Sequence, residues 1–60
     1  MSDKELLLQA LKANLGRIDE ITLAEQLGFS EDETQRIVSQ LLSEHKIKFE
    51  RFGLCNYKTK

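Results

Sequence analysis

Three times in this chain a serine or threonine is followed three residues later by glutamate: Ser2 and Glu5, Thr22 and Glu25, Ser30 and Glu33. Each pair opens a run of apolar residues at helical spacing. In such a capping box the hydroxyl accepts a hydrogen bond from one unsatisfied backbone N–H of the first turn. The glutamate reaches back to the N–H of the cap residue. One match is a weak signal. Three, each ahead of a periodic run, predict three helix starts within sixty residues.

The first helix is expected over residues 3–15, with Gly16 as its stop. Leu7, Leu8, Leu11 and Leu15 fall on one stripe at helical spacing. Leu6 points nearly opposite, beside Ala10 and Ala13, and reads either as a scattered surface leucine or as a small dimer or partner patch. Residues 17–21 are too short for a helix and are expected as a short strand, anchored by Ile18 and Ile21. The second helix is expected over residues 23–27, with Leu23, Ala24 and Leu27 inward and Gly28 ending it. Phe29 precedes the Ser30 cap, where a hydrophobic residue staples the chain to the helix that follows.

The third helix is expected over residues 31–45. Its apolar stripe is Thr34, Ile37, Val38, Leu41 and Leu42, with His45 at the end as a packed or helix-terminal histidine. The opposite face is Asp32, Arg36, Ser39, Gln40 and Ser43, bordered by Gln35, and contains no hydrophobic residue. The period then changes from helical to alternating. Ile47 and Phe49 alternate with Lys48 and Glu50, Phe52-Gly53 follows, and Cys55 and Tyr57 alternate to Thr59. Aromatic and β-branched residues around one glycine predict a hairpin with a loop of three to five residues, Phe49 and Tyr57 covering its inner face. The expected architecture is one α+β domain over residues 1–60, in the order α1-β1-α2-α3-β2-β3.

Charge is unevenly spread. Residues 1–45 carry four basic and nine acidic groups, a net of −5, whereas residues 46–60 carry five basic and one acidic, a net of +4. A basic C-terminal quarter marks either a nucleic-acid contact or a soluble hairpin whose lysines blunt an open edge. A hydrophobic content of 40% with 32% charged residues argues against disorder. One cysteine excludes an internal disulfide, and one Cys with one His cannot complete a structural zinc site. Cys55 reads as a core residue rather than a cluster ligand, since a cluster needs several thiolates. No Gly-rich phosphate loop, second histidine or buried carboxylate pair is visible, so no enzyme and no cofactor are expected. The start of the chain lacks the basic-then-apolar pattern of a secretory signal, and the longest hydrophobic run is Leu6-Leu7-Leu8. A cytoplasmic location is expected.

The segment Thr22-Leu23-Ala24-Glu25-Gln26-Leu27-Gly28-Phe29-Ser30 is the most specific part of the chain. A small residue inside a short helix, then Leu-Gly, then a cap opening a longer helix makes two helices cross tightly. These residues look like a winged helix-turn-helix domain, and the resemblance covers nearly the whole chain. It extends in length and element order to small bacterial winged-helix regulators, including fimbrial-operon regulators. The resemblance implies a transcriptional regulator that binds duplex DNA. Its third helix would read the major groove and its hairpin wing would touch backbone or minor groove. Carried over, Gln35, Arg36, Ser39 and Gln40 would face bases, Arg suiting guanine and Gln adenine by bidentate geometry. Ser30 and Thr34 would reach phosphates, and Lys48, Arg51 and Lys58 would be the wing contacts.

Two features depart from that pattern. Family readers usually begin with Lys or Arg, whereas this helix begins Glu31-Asp32-Glu33. Acids there suit the helix dipole but oppose phosphate. The branch that binds left-handed nucleic acid has Asn and Tyr where this chain has Gln35 and Ser39, so that specificity is not carried over. The alternative reading is a protein-interaction module, a winged-helix scaffold that does not bind DNA and offers its polar helix face or the Leu6 patch to a partner. A homodimer or a protein partner is expected under either reading.

Overall fold

A computed structural model describes residues 2–60. Three helices precede a two-stranded antiparallel sheet: α1 (Asp3–Asn14), α2 (Glu20–Gln26), α3 (Glu31–Ser43), β1 (Ile47–Phe52) and β2 (Cys55–Thr59). Among the described residues no helix is long and apolar enough to cross a membrane.

The helix starts follow from cap chemistry, with one correction. Ser2 caps α1 by accepting from the Glu5 N–H at 3.2 Å. At α3 the reciprocal box is complete: Ser30 Oγ accepts from Glu33 N–H at 3.2 Å, and Glu33 Oε1 accepts from Ser30 N–H at 3.0 Å. Thr22 does not cap α2. Asp19 does, accepting from the Thr22 N–H at 3.1 Å and from its hydroxyl at 2.6 Å. Aspartate outranks threonine as an N-cap, and starting three residues earlier adds most of a turn. That earlier start removes the strand expected over residues 17–21. It also rotates the buried side of α2 onto Glu20 and Ala24, four residues apart, leaving Leu27 exposed and Leu23, Ile18 and Ile21 only partly covered.

Two side chains do the work of the missing strand. The buried Asn14 amide donates from Nδ2 to the Ile18 carbonyl at 2.8 Å and accepts from the Ile18 N–H at 3.2 Å. Two amides on the β2 side are then satisfied from the body: Leu54 N–H by the Gly16 carbonyl at 2.9 Å, and Asn56 N–H by the Glu20 carboxylate at 3.0 Å. Helix α1 ends one residue earlier than expected. Leu15 takes a left-handed conformation (φ 53°) and its side chain is 60% exposed, off the stripe its spacing assigned it to. Gly16 (φ 75°) and Gly53 (φ 61°) lie back to back, and a Cβ built on either falls 2.4 Å from a backbone oxygen of the facing turn.

The core gathers Leu7 and Leu11 from α1, Ala24 from α2, Phe29 from the turn, Ile37, Val38 and Leu41 from α3, and Ile47 and Cys55 from the hairpin. Leu7, Ala24 and Leu41 are fully buried. Burying a side chain of Leu or Ile size contributes about 1.5–3 kcal/mol, so this contiguous set supplies most of what orders so short a chain. Helix α3 stops at Ser43, two residues short of the expected end. His45 adopts φ 61° and is exposed, not part of the apolar stripe. The hairpin loop is two residues, Gly53-Leu54, shorter than expected. A positive φ at the first loop residue fits the right-handed strand twist. Ile47 pairs with Thr59, Lys48 with Lys58 and Phe49 with Tyr57, and the register shifts by a bulge before Phe52 pairs with Cys55.

Candidate nucleic-acid interface

Helix α3 buries Thr34, Ile37, Val38 and Leu41 and leaves its other side free. Asp32, Gln35, Arg36, Ser39 and Gln40 are all exposed and line one shallow, open depression. Their spacing is that of one helix face, so side chains three and four apart stand beside one another. Four of the nine residues expected at DNA, namely Gln35, Arg36, Ser39 and Gln40, are thereby brought together. Asp32 stands in the same row, and Glu31 and Glu33 are exposed beside it. The hydrogen bonds from Ser30 hold the Glu33 carboxyl below the usual carboxylate range, with Arg36 adding a smaller attraction.

Thr34 leaves the expected phosphate set. It is 1% exposed, and its hydroxyl and N–H both donate to the Ser30 carbonyl, at 2.7 and 2.9 Å. A threonine on the apolar side of a helix satisfies its hydroxyl against the preceding turn, so it has no donor left for a ligand. Ser30 is exposed, but its N–H is held by Glu33 and its oxygen by the Glu33 N–H. Its hydroxyl also bonds the Glu33 carboxylate, so the capping box engages Ser30 fully.

The hairpin places its basic residues on the face turned away from the core. Lys48 and Lys58 sit directly opposite each other. Glu50 lies between them, 3.4 Å from Lys48 and 3.7 Å from Lys58. Lys58 also stands 5.3 Å over the Phe52 ring, a cation–π distance. Arg51 donates from Nε to the Gly53 carbonyl at 3.4 Å and is otherwise exposed at the loop. The three expected wing contacts are therefore all exposed, and two of them share one carboxylate.

The inner face of the hairpin differs from expectation. Tyr57 is half-buried, but Phe49 is 76% exposed and touches Tyr57 edge-on, centroids 5.5 Å apart. Phe49 shares a face with buried Ile47, yet the helical body does not reach far enough to cover it. Cys55 is buried as expected, its thiol donating to the Tyr57 carbonyl at 3.2 Å. Burial pushes that thiol above its ordinary pKa, and Glu20 adds to the effect.

Leu6, Ala10 and Ala13 stand at i, i+4 and i+7 of α1 and so share one helix face. Leu6 is 38% exposed. Ala10 and Ala13 also line a groove with Ile18 and Leu23, rimmed by Arg17 and Gln26. Among the described residues no three His, Cys, Asp or Glu side chains converge to hold a metal ion. The Glu20 clamp on Asn56, which fixes the hairpin to the body, escaped the sequence reading. A polar contact across thirty-six positions carries no periodic signal.

No family model, curated protein or solved structure matches this chain.

Proposed function

We propose that this chain is a winged helix-turn-helix DNA-binding protein, a small cytoplasmic transcriptional regulator that catalyses no reaction. Helix α3 enters the major groove, and the hairpin serves as a wing against the phosphate backbone. The observation that carries this reading is the row Gln35, Arg36, Ser39 and Gln40. These are four exposed side chains with base-reading chemistry on one face of a helix whose other face is locked into the core. Lys48, Arg51 and Lys58 are exposed on the adjoining hairpin, within the part of the chain whose net charge is +4 (five basic groups against one acidic).

Duplex binding driven by phosphate neutralisation weakens as salt rises, with a log–log slope near −0.9 per phosphate contact. Fluorescence anisotropy with a generic duplex at several salt concentrations measures that slope. A steep slope that becomes shallower in the Lys48→Ala, Arg51→Ala double variant supports the reading. No binding at low salt contradicts it.

A second reading is favoured by a specific observation. Glu31, Asp32 and Glu33 are all exposed at the start of α3, and Glu50 already pairs with Lys48 and Lys58. On that reading the scaffold is a protein-interaction module, and the polar face of α3 meets a protein rather than a nucleic acid.

A further inference from the structure

Beside the polar face of α3 runs a groove of about 400 Å³, lined by α2, α3 and β2. Its apolar lining is Ile21, Val38, Leu42 and Tyr57. Its charged lining is wholly acidic, Glu20 and Glu31. Glu20 is 8% exposed, and its two oxygens are held by the amides of Asn56, a neutral residue. The groove therefore combines uncovered apolar surface with negative charge. It lies on the hairpin's inner side, whereas Lys48, Lys58 and Glu50 occupy the outer side.

At the end of the hairpin the opposite chemistry is displayed. Leu54 is 62% exposed and Phe52 38%, and exposed Arg51 stands beside them. This tip cannot fold into the groove of its own chain. Leu54 N–H is bonded to the Gly16 carbonyl at 2.9 Å, and Gly53 is pressed onto Gly16, at the far end of α1.

We propose that the groove between α3 and β2 receives the hairpin tip of a second copy of this chain. Leu54 and Phe52 cover Ile21, Leu42 and Tyr57, while Arg51 meets Glu31. The occupant is argued from local charge and apolar match: the groove's charged lining is Glu20 and Glu31, whereas the tip presents Arg51 beside exposed Leu54 and Phe52, with Lys58 5.3 Å over the Phe52 ring. A reciprocal exchange, tip into groove in both directions, closes the pair as a two-fold dimer. The contact rests on three side chains from each tip, Arg51, Phe52 and Leu54, whereas a standard interface takes about 20–30 residues a side. The dimer is accordingly weak and concentration-dependent. Gln35 and Ser39 also line the groove, so a seated tip covers part of the face proposed to read DNA. That consequence alone rests on the DNA reading.

The test is sedimentation equilibrium of the full chain without DNA, up to about 1 mM, where even weak pairs populate. The wild type is expected to dimerise more weakly as salt rises. Leu54→Ser and Glu31→Lys, both at exposed positions that leave the core intact, are each expected to weaken dimerisation at least about tenfold. Arg51→Glu is expected to do the same. Mixing the Glu31→Lys chain with the Arg51→Glu chain re-creates an opposite-charge pair at both contacts and is expected to restore a heterodimer. A monomer throughout, a dimer that these changes leave unaltered, or a mixture that stays monomeric would each overturn the proposal. Because DNA is absent from the measurement, such a result leaves the DNA reading standing.

Discussion

Glu20 and Asn56 tie the helical body to the hairpin through one carboxylate, Oε1 accepting from the Asn56 backbone N–H at 3.0 Å and Oε2 from its side-chain amide at 3.2 Å. The carboxylate stands where a neighbouring strand would offer a carbonyl. Hydrogen bonds to a charged group contribute about 1.5–3 kcal/mol when one partner is removed. Glu20→Ala is therefore expected to lower stability by roughly that amount in urea unfolding, and to speed hydrogen exchange at the Asn56 amide. A change within about 0.5 kcal/mol, the range of a neutral surface site, would show that the clamp does not hold the hairpin.

The Gly16–Gly53 apposition makes a second prediction. Both residues have positive φ, and a Cβ on either meets backbone oxygen at 2.4 Å. Gly28 also has positive φ, but nothing lies within 4 Å of its Cβ position. Left-handed backbone costs a non-glycine residue about 1–2 kcal/mol. Gly28→Ala should lose about that much, and Gly16→Ala and Gly53→Ala clearly more, because backbone must also move. Equal losses at all three positions in chemical denaturation would remove the close contact as the cause.

Acid should unfold the protein through its caps. The Thr22 hydroxyl and N–H hold Asp19 below the ordinary carboxylate pKa. Bonds from Ser30 do the same for Glu33, and Lys4 for Glu44. A carboxylate depressed in the folded state adds stability that is complete above its unfolded pKa, about 4. That stability is lost as pH falls through the folded value. The urea midpoint should hold steady from neutral pH down to about pH 5 and drop below about pH 4. Asp19→Asn should flatten that drop, and an unchanged acid profile in this variant would exclude the cap as a contributor.

Glu50 should restrain the wing. Its carboxylate pairs with both Lys48 and Lys58, so these charges are partly neutralised before any phosphate arrives. Glu50→Gln is expected to raise affinity for generic duplex DNA and steepen its salt dependence, by up to about 1 in slope for each lysine released. Arg36→Ala should instead weaken binding to a preferred sequence by about 1–3 kcal/mol with a smaller effect on generic DNA. Weaker duplex binding in Glu50→Gln, measured by anisotropy, would contradict the wing assignment.

The parts of this molecule legible in the sequence are those built from local chemistry. Ser30, Glu33 and Phe29 announce the start of α3 because cap and staple lie within a few residues of each other. Alternation around Gly53 announces the hairpin. The errors arise where two local signals compete or where a long-range contact decides. Asp19 and Thr22 both suit a cap, and the stronger one, which also lengthens α2 by most of a turn, takes the start. Leu15 has the right spacing for the core, but the left-handed turn that ends α1 swings it outward. Phe49 lies on the correct face of its strand, yet alternation cannot tell how far the helical body extends beneath it. Of the candidate interface, the α3 row was legible from helical period alone. The burial of Thr34 was implied by the same stripe, and it removes that residue from phosphate contact.

The most direct measurement is a chemical-shift titration of isotopically labelled protein with a short duplex at low salt. If α3 and the wing form a DNA-binding surface, amide shifts will concentrate at Gln35, Arg36, Ser39, Gln40, Lys48, Arg51 and Lys58, and will diminish as salt is raised. Unmoved spectra at low salt, or shifts confined to α1 around Leu6, Ala10 and Ala13, would contradict it.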